Sequence, residues 1–340
     1  MRKTWARTAT RAGALAAGLL LFLGSGAHAA ELVSDDESIG ANGSQLLSPL
    51  QSPLDTCGDR LNLGDAADTA CETDGDARVG VADMRTQDNE GILNGNQIQA
   101  PVQVPVNACA VAATLLGSAN STCVGGATAT AGGGEGTAQT MDSRRNKGIG
   151  NGNQLLAPVQ VPVNVCGLAV PVLGTARASC AGSATATMGQ HGGMTTSDND
   201  GMGNGNTLVV PVQVPINVCG NAIAAVGDSQ ADCLGGSDAQ NDTKVGGVRG
   251  TDREAPTQLN LPLLGDDQDD DSGARDAKSV VTARRDGFYS GTDSTDNRLL
   301  GGGNQLLTPI QLPTNLSGNS IGGAGTADAL SLGGAVAALH

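Results

Sequence analysis

Along residues 97–109, "QIQAPVQVPVNAC", apolar and polar side chains alternate without a break. Ile98, Ala100, Val102, Val104, Val106 and Ala108 fall on one side of an extended chain. Gln97, Gln99, Pro101, Gln103, Pro105, Asn107 and Cys109 fall on the other. A period of two sustained this long predicts a β-strand. The two prolines lie on the polar side, four residues apart, and each removes a ladder donor. Such a strand is at an edge, bulged, or paired through alternate residues only. Prolines on an exposed edge also restrain strand-to-strand aggregation.

The pattern returns along the chain as "GSQLLSPLQSPLDTCGD" (43–59), "GNQIQAPVQVPVNACAV" (95–111), "GNQLLAPVQVPVNVCGL" (152–168), "GNTLVVPVQVPINVCGN" (205–221) and "GNQLLTPIQLPTNLSGN" (303–319). A weaker echo, "TQLNLPLLGDD" (257–267), keeps Gln258 and Pro262 in register. After the first cysteine a turn is expected, clearest at Cys219-Gly220-Asn221, and then a shorter apolar segment such as "AIAAVG" (222–227) or "LAVPVLG" (168–174). Each unit therefore reads as a β-hairpin. The expected fold is mainly β, a series of short disulfide-closed hairpin repeats joined by Gly/Ala/Asp-rich spacers. The stretches 125–150 and 182–203 read as flexible spacers; the alternative is Gly-rich turns stacked as a solenoid. An isolated hairpin is marginal in water. Its apolar face must meet another unit, another chain or a non-aqueous surface. The residues expected to form that assembly face are Val102, Val104, Val106, Val159, Val161, Val163, Val212, Val214 and Ile216.

Cysteine spacing sharpens the repeat. Cys57/Cys71, Cys109/Cys123, Cys166/Cys180 and Cys219/Cys233 are each 14 residues apart. The simplest connectivity is one local bridge per pair, although eight cysteines formally allow many others. Closing a loop of about 15 residues is worth about 3 kcal/mol in the chain-entropy model, a decisive amount for units with little apolar area. In the last unit Ser317 and Ser331 stand at both cysteine positions together, as a paired bridge requires.

Composition and charge narrow the class. Fifty-one glycines and 1% aromatic residues in 340 cannot build one ordinary large core. Arg2, Lys3, Arg7 and Arg11 precede the apolar run 12–23 and the small-x-small site Ala27-His28-Ala29. This reads as a secretory signal peptide, residues 1–29, rather than a membrane anchor. After its removal 15 Lys+Arg face 34 Asp+Glu, a net charge of −19. That balance argues against nucleic acid and anionic membranes as partners, and Tyr289 alone gives no stacking platform.

Catalytic chemistry is thin. His191 in "GQHGGM" and His340 have no nucleophile at a suggestive spacing, so neither an enzyme nor a cofactor is expected. "GIGNGNQ" (148–154) precedes a strand instead of a helix and lacks the amide cradle of a phosphate loop. "DDQDDD" (266–271) and "SDNDG" (197–201) read as solvated acidic segments, not as a calcium loop ending in glutamate. The sequon Asn120-Ser121-Thr122 is read as incidental.

The G-N start, the alternating Val/Gln with two spaced prolines, the N-V-C-G-N of 217–221 and the downstream Cys233 resemble the chaplin family of secreted actinobacterial surface proteins. Units at 39–73, 91–124, 148–181, 201–234 and 299–333 carry the likeness, with an acidic spacer at 235–298. The resemblance implies a β-rich, surface-active structural protein that coats cells, lowers surface tension and assembles into amyloid-like films. It also implies that the four cysteine pairs are intra-unit disulfides. Itself and other film proteins are the expected partners. "QLPTNL" (311–316) has Asn315 at a key sorting position and no membrane span after it, so non-covalent retention at the wall or cell surface is expected. The first unit, with Asp55, Asp59, Asp65 and Asp68, and with Ser48 and Ser52 on its apolar face, is expected to be a poor film former. The alternative function is multivalent binding to a wall polysaccharide or adhesion, which the near-absence of aromatic platforms disfavours.

Overall fold

Each strand of the repeat beginning at Gln97 pairs with its counterpart in the repeats before and after, always in parallel. The strands of that repeat are β1 (Gln97–Gln99), β2 (Val102–Gln103), β3 (Val106–Thr114), β4 (Ser118–Val124), β5 (Ala127–Ala131), β6 (Met141–Arg144) and β7 (Lys147–Ile149). One repeat thus makes one turn of a β-solenoid. Coils 1 to 5 open at Gln45, Gln97, Gln154, Thr207 and Gln305, and the same strand labels serve in each. The computed structural model describes residues 19–20, 32–35, 43–64, 66–72, 74–79, 83–131, 140–188, 193–241, 279–283, 292–295, 302–324 and 326–339. The signal-peptide cleavage site and the echo at 257–267 lie outside the described residues.

Unequal repeat lengths leave the stacking undisturbed because one connection absorbs them. Between β5 and β6 the chain runs through 80–83 in coil 1, 132–140 in coil 2, 189–193 in coil 3 and 242–291 in coil 4. These differences account fully for the 52-, 57- and 53-residue steps between successive first cysteines, and for the long step into coil 5.

The strand content and the bridges are as the sequence predicts, but the pairing differs. Strands β3 and β4 form no hairpin. At Gly58, Ala110, Gly167, Gly220 and Gly318 the backbone takes φ of +54° to +71° directly after the first cysteine position. Two successive residues, such as Cys109 and Ala110, then point inward. The strand turns a corner and continues, and β4 comes back facing β3 through side chains. Ala112, Ala119, Ala169, Ala176, Ala222 and Ala231 pack between them. The Gly/Ala/Thr-rich segments are likewise structured where described, since "ATATA" and "ATATM" are the β5 strands of coils 2 and 3.

The larger finding concerns sidedness, which the alternation alone left open. Gln103, Pro105, Asn107 and Cys109 point into the solenoid, whereas Val102, Val104 and Val106 point out and are half-buried. Stacking makes this possible. Gln103 Nε2 donates to Gln51 Oε1, Gln160 Nε2 to Gln103, Gln213 to Gln160 and Gln311 to Gln213, at 2.8–3.2 Å. The same amides cross the interior to backbone carbonyls of β5, Gln103 reaching Ala77 and Thr130, Gln160 reaching Ala129 and Thr187. Asn107, Asn164, Asn217 and Asn315 form a second column at 2.8–2.9 Å. A buried amide without partners is costly, and in these two columns all but the lowest asparagine find theirs in the copy one coil away. The interior is therefore thin, and alanine opposite glutamine leaves it room. Met84, Met141 and Met194 fill the space beside Leu156 and Val209.

Prolines fit because the chain pairs through alternate residues. Val102, Val104 and Val106 donate their N–H groups to Pro49, Gln51 and Pro53 of the coil below. Pro49 and Pro53 sit where a donor would point up to Ala100 and Val104. In coil 1 the hydroxyls of Ser48 and Ser52 donate to those two carbonyls instead, which explains the serines on an otherwise apolar face.

Coil 1 breaks the asparagine column with Asp55, which pairs in register with Asn107. Asn107 Oδ1 is buried with no donor, whereas the Oδ1 of Asn164 accepts from the coil below. Asp55→Asn is expected to supply the missing donor and raise stability by about 1 kcal/mol in urea unfolding. An unchanged or lowered midpoint would contradict the column.

Candidate functional site

The predicted face residues come together as a grid. Val102, Val159 and Val212 are register partners, as are Val106, Val163 and Ile216, and the chain carries Val104, Val161 and Val214 between them. Leu50 and Ile310 continue the Val102 column into coils 1 and 5, and Leu46 and Leu306 end a neighbouring column of Ile98, Leu155 and Leu208. With strands about 4.8 Å apart and residues about 3.3 Å apart, the outward surface of β1–β3 measures roughly 40 Å by 20 Å. That exceeds the few hundred Å² of contiguous apolar surface that monomers usually expose.

Exposed apolar residues flank the grid on both sides. Ile92, Ile149 and Met202 form a column on β7, each more than half exposed. Leu61, Leu115, Leu116, Leu173 and Val226 line the corner between β3 and β4. Sequence reasoning missed both, because the first set lies in a Gly-rich stretch and the second was read as part of the second strand of a hairpin. The available signal was recurrence, of Ile92, Ile149 and Met202 at one position and of Leu116, Leu173 and Val226 at another in three successive repeats.

The other side of the slab is mainly polar, with Val124, Leu234, Leu330, Leu332 and Val336 as its exposed apolar residues. Asp76, Thr128, Thr185 and Asp238 make one outward column on β5, and Arg78, Thr130, Thr187 and Gln240 the next. Outward positions of β4 carry Asp68, Asn120, Arg177, Gln230 and Asp328. Asn120 of the sequon donates to Asp68 Oδ1 at 2.7 Å. The molecule thus has one broad face that is largely apolar, backed by one that is mainly hydrophilic in coils 1 to 4.

Four disulfides stand one above another behind the apolar face. Cys57–Cys71, Cys109–Cys123, Cys166–Cys180 and Cys219–Cys233 bridge β3 to β4 with Cα separations of 5.7–6.0 Å. The upper three are fully or almost fully buried and pack together with Ala110. Ser317 and Ser331 stack on Cys219 and Cys233 in register, so the last coil keeps the geometry without the bridge.

The "GNGN" corner between β7 and β1 and the corner between β6 and β7 are both structural. Asn89, Asn146 and Asn199 form a buried column linked side chain to side chain at 2.9 Å, and Asn94, Asn151 and Asn204 another linked backbone N–H to Oδ1. A Cβ at Gly152, φ +67°, would lie 2.6 Å from Ser143 Oγ, so the columns require glycine there. "SDNDG" is one such corner, with Asn199 inside and Asp198 and Asp200 outside. At the same corner one coil apart, Arg145 donates two 2.7 Å hydrogen bonds to Asp88. They hold the Asp88 carboxyl below its ordinary range and raise the Arg145 guanidinium. A depressed carboxylate contributes above its ordinary pKa and loses the contribution as pH falls through the lowered one. Among the described residues no cluster of three His, Cys, Asp or Glu is arranged to hold a metal. His191, His340 and the 266–271 run lie outside the described residues.

Residues 76–129, 124–184 and 181–233 match the ChpA-C family model, each stretch about one coil long. Two curated relatives come from Streptomyces coelicolor (strain ATCC BAA-471 / A3(2) / M145). The chain is 38% identical to Chaplin-C over 104 residues, 22% of this chain and 40% of that protein. It is 33% identical to Chaplin-B over 105 residues, 24% of this chain and 44% of that protein. The chain thus spans less than half the length of either. No solved structure matches it.

Replacing Cys166 and Cys180 together by serine recreates the coil 5 arrangement in the middle of the stack. The expected result is a loss of about 3 kcal/mol in urea unfolding with the β circular dichroism unchanged. Loss of the β signal in the native variant would show that the bridge, not the stacking, dictates the fold.

Proposed function

Because this chain belongs through its repeats to the chaplin family, a family of secreted surface-coat proteins, we propose that it adsorbs at apolar interfaces on the cell surface through the outward face of β1–β3. In this reading the signal peptide is removed after Ala29, and the protein leaves the cell as a folded, bridged solenoid. It collects where water meets air or another apolar phase, lowers the surface tension and forms a film with its own kind and with other coat proteins. It is retained at the wall or cell surface without a covalent link. The observation that carries the reading is the grid of Val and Ile on one broad face, opposed by Thr, Asp, Arg and Gln on the other. Such a slab leaves water on one side only, so adsorption buries apolar area without unfolding anything.

The film is amyloid-like in a defined sense. Parallel in-register strands with Gln and Asn columns are features that cross-β assemblies share, and they are already present within the monomer. Coil 1 contributes least to the face because Ser48 and Ser52 interrupt it, in keeping with its acidic edge.

The test is the surface tension of water carrying the oxidised chain, followed over time beside a variant with Val104→Lys, Val161→Asp and Val214→Lys. Alternating charges avoid a like-charge column, and outward positions leave the interior intact. The parent is expected to lower the tension slowly and strongly, and the variant to leave it near that of water while melting at a similar temperature. Equal surface activity in the two would remove the face from the mechanism. Saturable pull-down on insoluble wall polysaccharide, competed by soluble fragments, would favour the polymer-binding alternative instead.

A further inference from the structure

The sheets do not all occupy the same levels. Those built from β2, β3 and β4 run from coil 1 to coil 5. The β6 sheet also has five strands but is displaced one level down. Leu32–Asp35 lies beneath Met84–Gln87 of coil 1, and Thr292–Thr295 is level with coil 4. Among the described residues, the lower end therefore projects at β6 and the upper end is recessed there. Two short strands spoil this complementarity. Leu19–Leu20 adds a level below coil 1 in the β1 sheet, and Ser279–Ala283 adds one above coil 5 in the β5 sheet.

We infer that the outer edge of coil 5 receives coil 1 of a second copy, and that Leu19–Leu20 and Ser279–Ala283 guard the two edges against it. The joint continues an interface that already exists four times within the molecule. Coil 5 rests on coil 4 through the same in-register pairs that join coil 2 to coil 1. The glutamine column runs with each Nε2 donating to the coil below, so Gln51 of the arriving copy would donate to Gln311 Oε1. Its Leu32–Asp35 would fill the recess above Thr292–Thr295 and keep the β6 sheet unbroken. Charge permits the contact, because Asp328 is the single carboxylate between 302 and 339, so the acidic coil 1 meets a nearly neutral one. A head-to-tail joint that does not close on itself generates an open filament.

Each guard is separable from the coils. Leu19–Leu20 falls within the expected signal peptide, so secretion would clear the lower edge. Ser279–Ala283 belongs to the 242–291 connection, and coils 1 to 3 make the same connection with four to nine residues. The upper guard is therefore dispensable for the coil path. The inference uses the sheet edges, not the apolar face, so it stands or falls apart from surface activity.

The test compares three oxidised chains in bulk solution by sedimentation velocity and electron microscopy, each starting at Ala30, which leaves all five coils whole. One is otherwise unaltered. One has 242–291 replaced by residues 189–193. One keeps the connection but carries Val280→Pro and Val281→Pro, which cannot pair as the guard strand does. The two unguarded chains are expected to form rods one solenoid wide, with a severalfold higher weight-average mass, while the guarded chain stays monomeric. If an unguarded chain with parental circular dichroism and all four disulfides stays monomeric, the docking is overturned. If the guarded chain polymerises equally, Ser279–Ala283 is no guard. The proline variant decides the matter should the shortened chain fail to fold.

Discussion

Burying a side-chain amide is costly unless its hydrogen-bonding groups find partners, and along one column of this chain a glutamine's partner is the same glutamine one turn away. Gln51, Gln103, Gln160, Gln213 and Gln311 form a single column through the interior, each linked to the next and to the backbone of the opposite wall. A shift of register by one residue would send the amides out and the valines in. The column thus fixes the register, and the register fixes which face meets the solvent. Chain length between β5 and β6 is free to vary because it lies outside this constraint.

The constraint also explains a composition that looks unfit for folding. Aromatic residues would not fit between walls that approach within 6.0 Å of each other at the disulfides. Alanine, cysteine, asparagine and glutamine do fit. Their stability comes from repetition along the axis and from the bridges rather than from a bulky core. The sites that depart from the rule lie at the ends: Asp55 and the serines of coil 1, and the serines at the bridge positions of coil 5.

Much was legible in the sequence. Strict alternation gave the strands, the spacing of 14 gave the bridges, and Ser317 with Ser331 marked a unit that had lost its bridge as a pair. The inward and outward assignments were not read, because alternation separates Gln103 and Pro105 from the valines without saying which side is buried. Sequence repetition held the correcting signal. The glutamine at the position of Gln103 and the prolines on either side of it recur unchanged in all five units, while the apolar positions drift among Val, Ile, Leu, Ala, Ser and Thr. Identity is what a column of self-pairing amides demands, and mere hydrophobicity suffices for an outer face. The parallel pairing was hidden for a related reason. A hairpin is local in sequence, whereas these partners are 52 to 98 residues apart, and no short window shows them.

The measurement that reaches the central claim most directly is nuclear Overhauser contact between repeats in the oxidised chain, with valine and backbone positions labelled. Parallel in-register stacking predicts contacts from Val102 to Val159 and from Val159 to Val212, together with Gln160 side-chain amide contacts to Gln103 and Ala129. Backbone contacts pairing β3 with β4 inside each repeat, with none between Val102 and Val159, would contradict it and restore the hairpin.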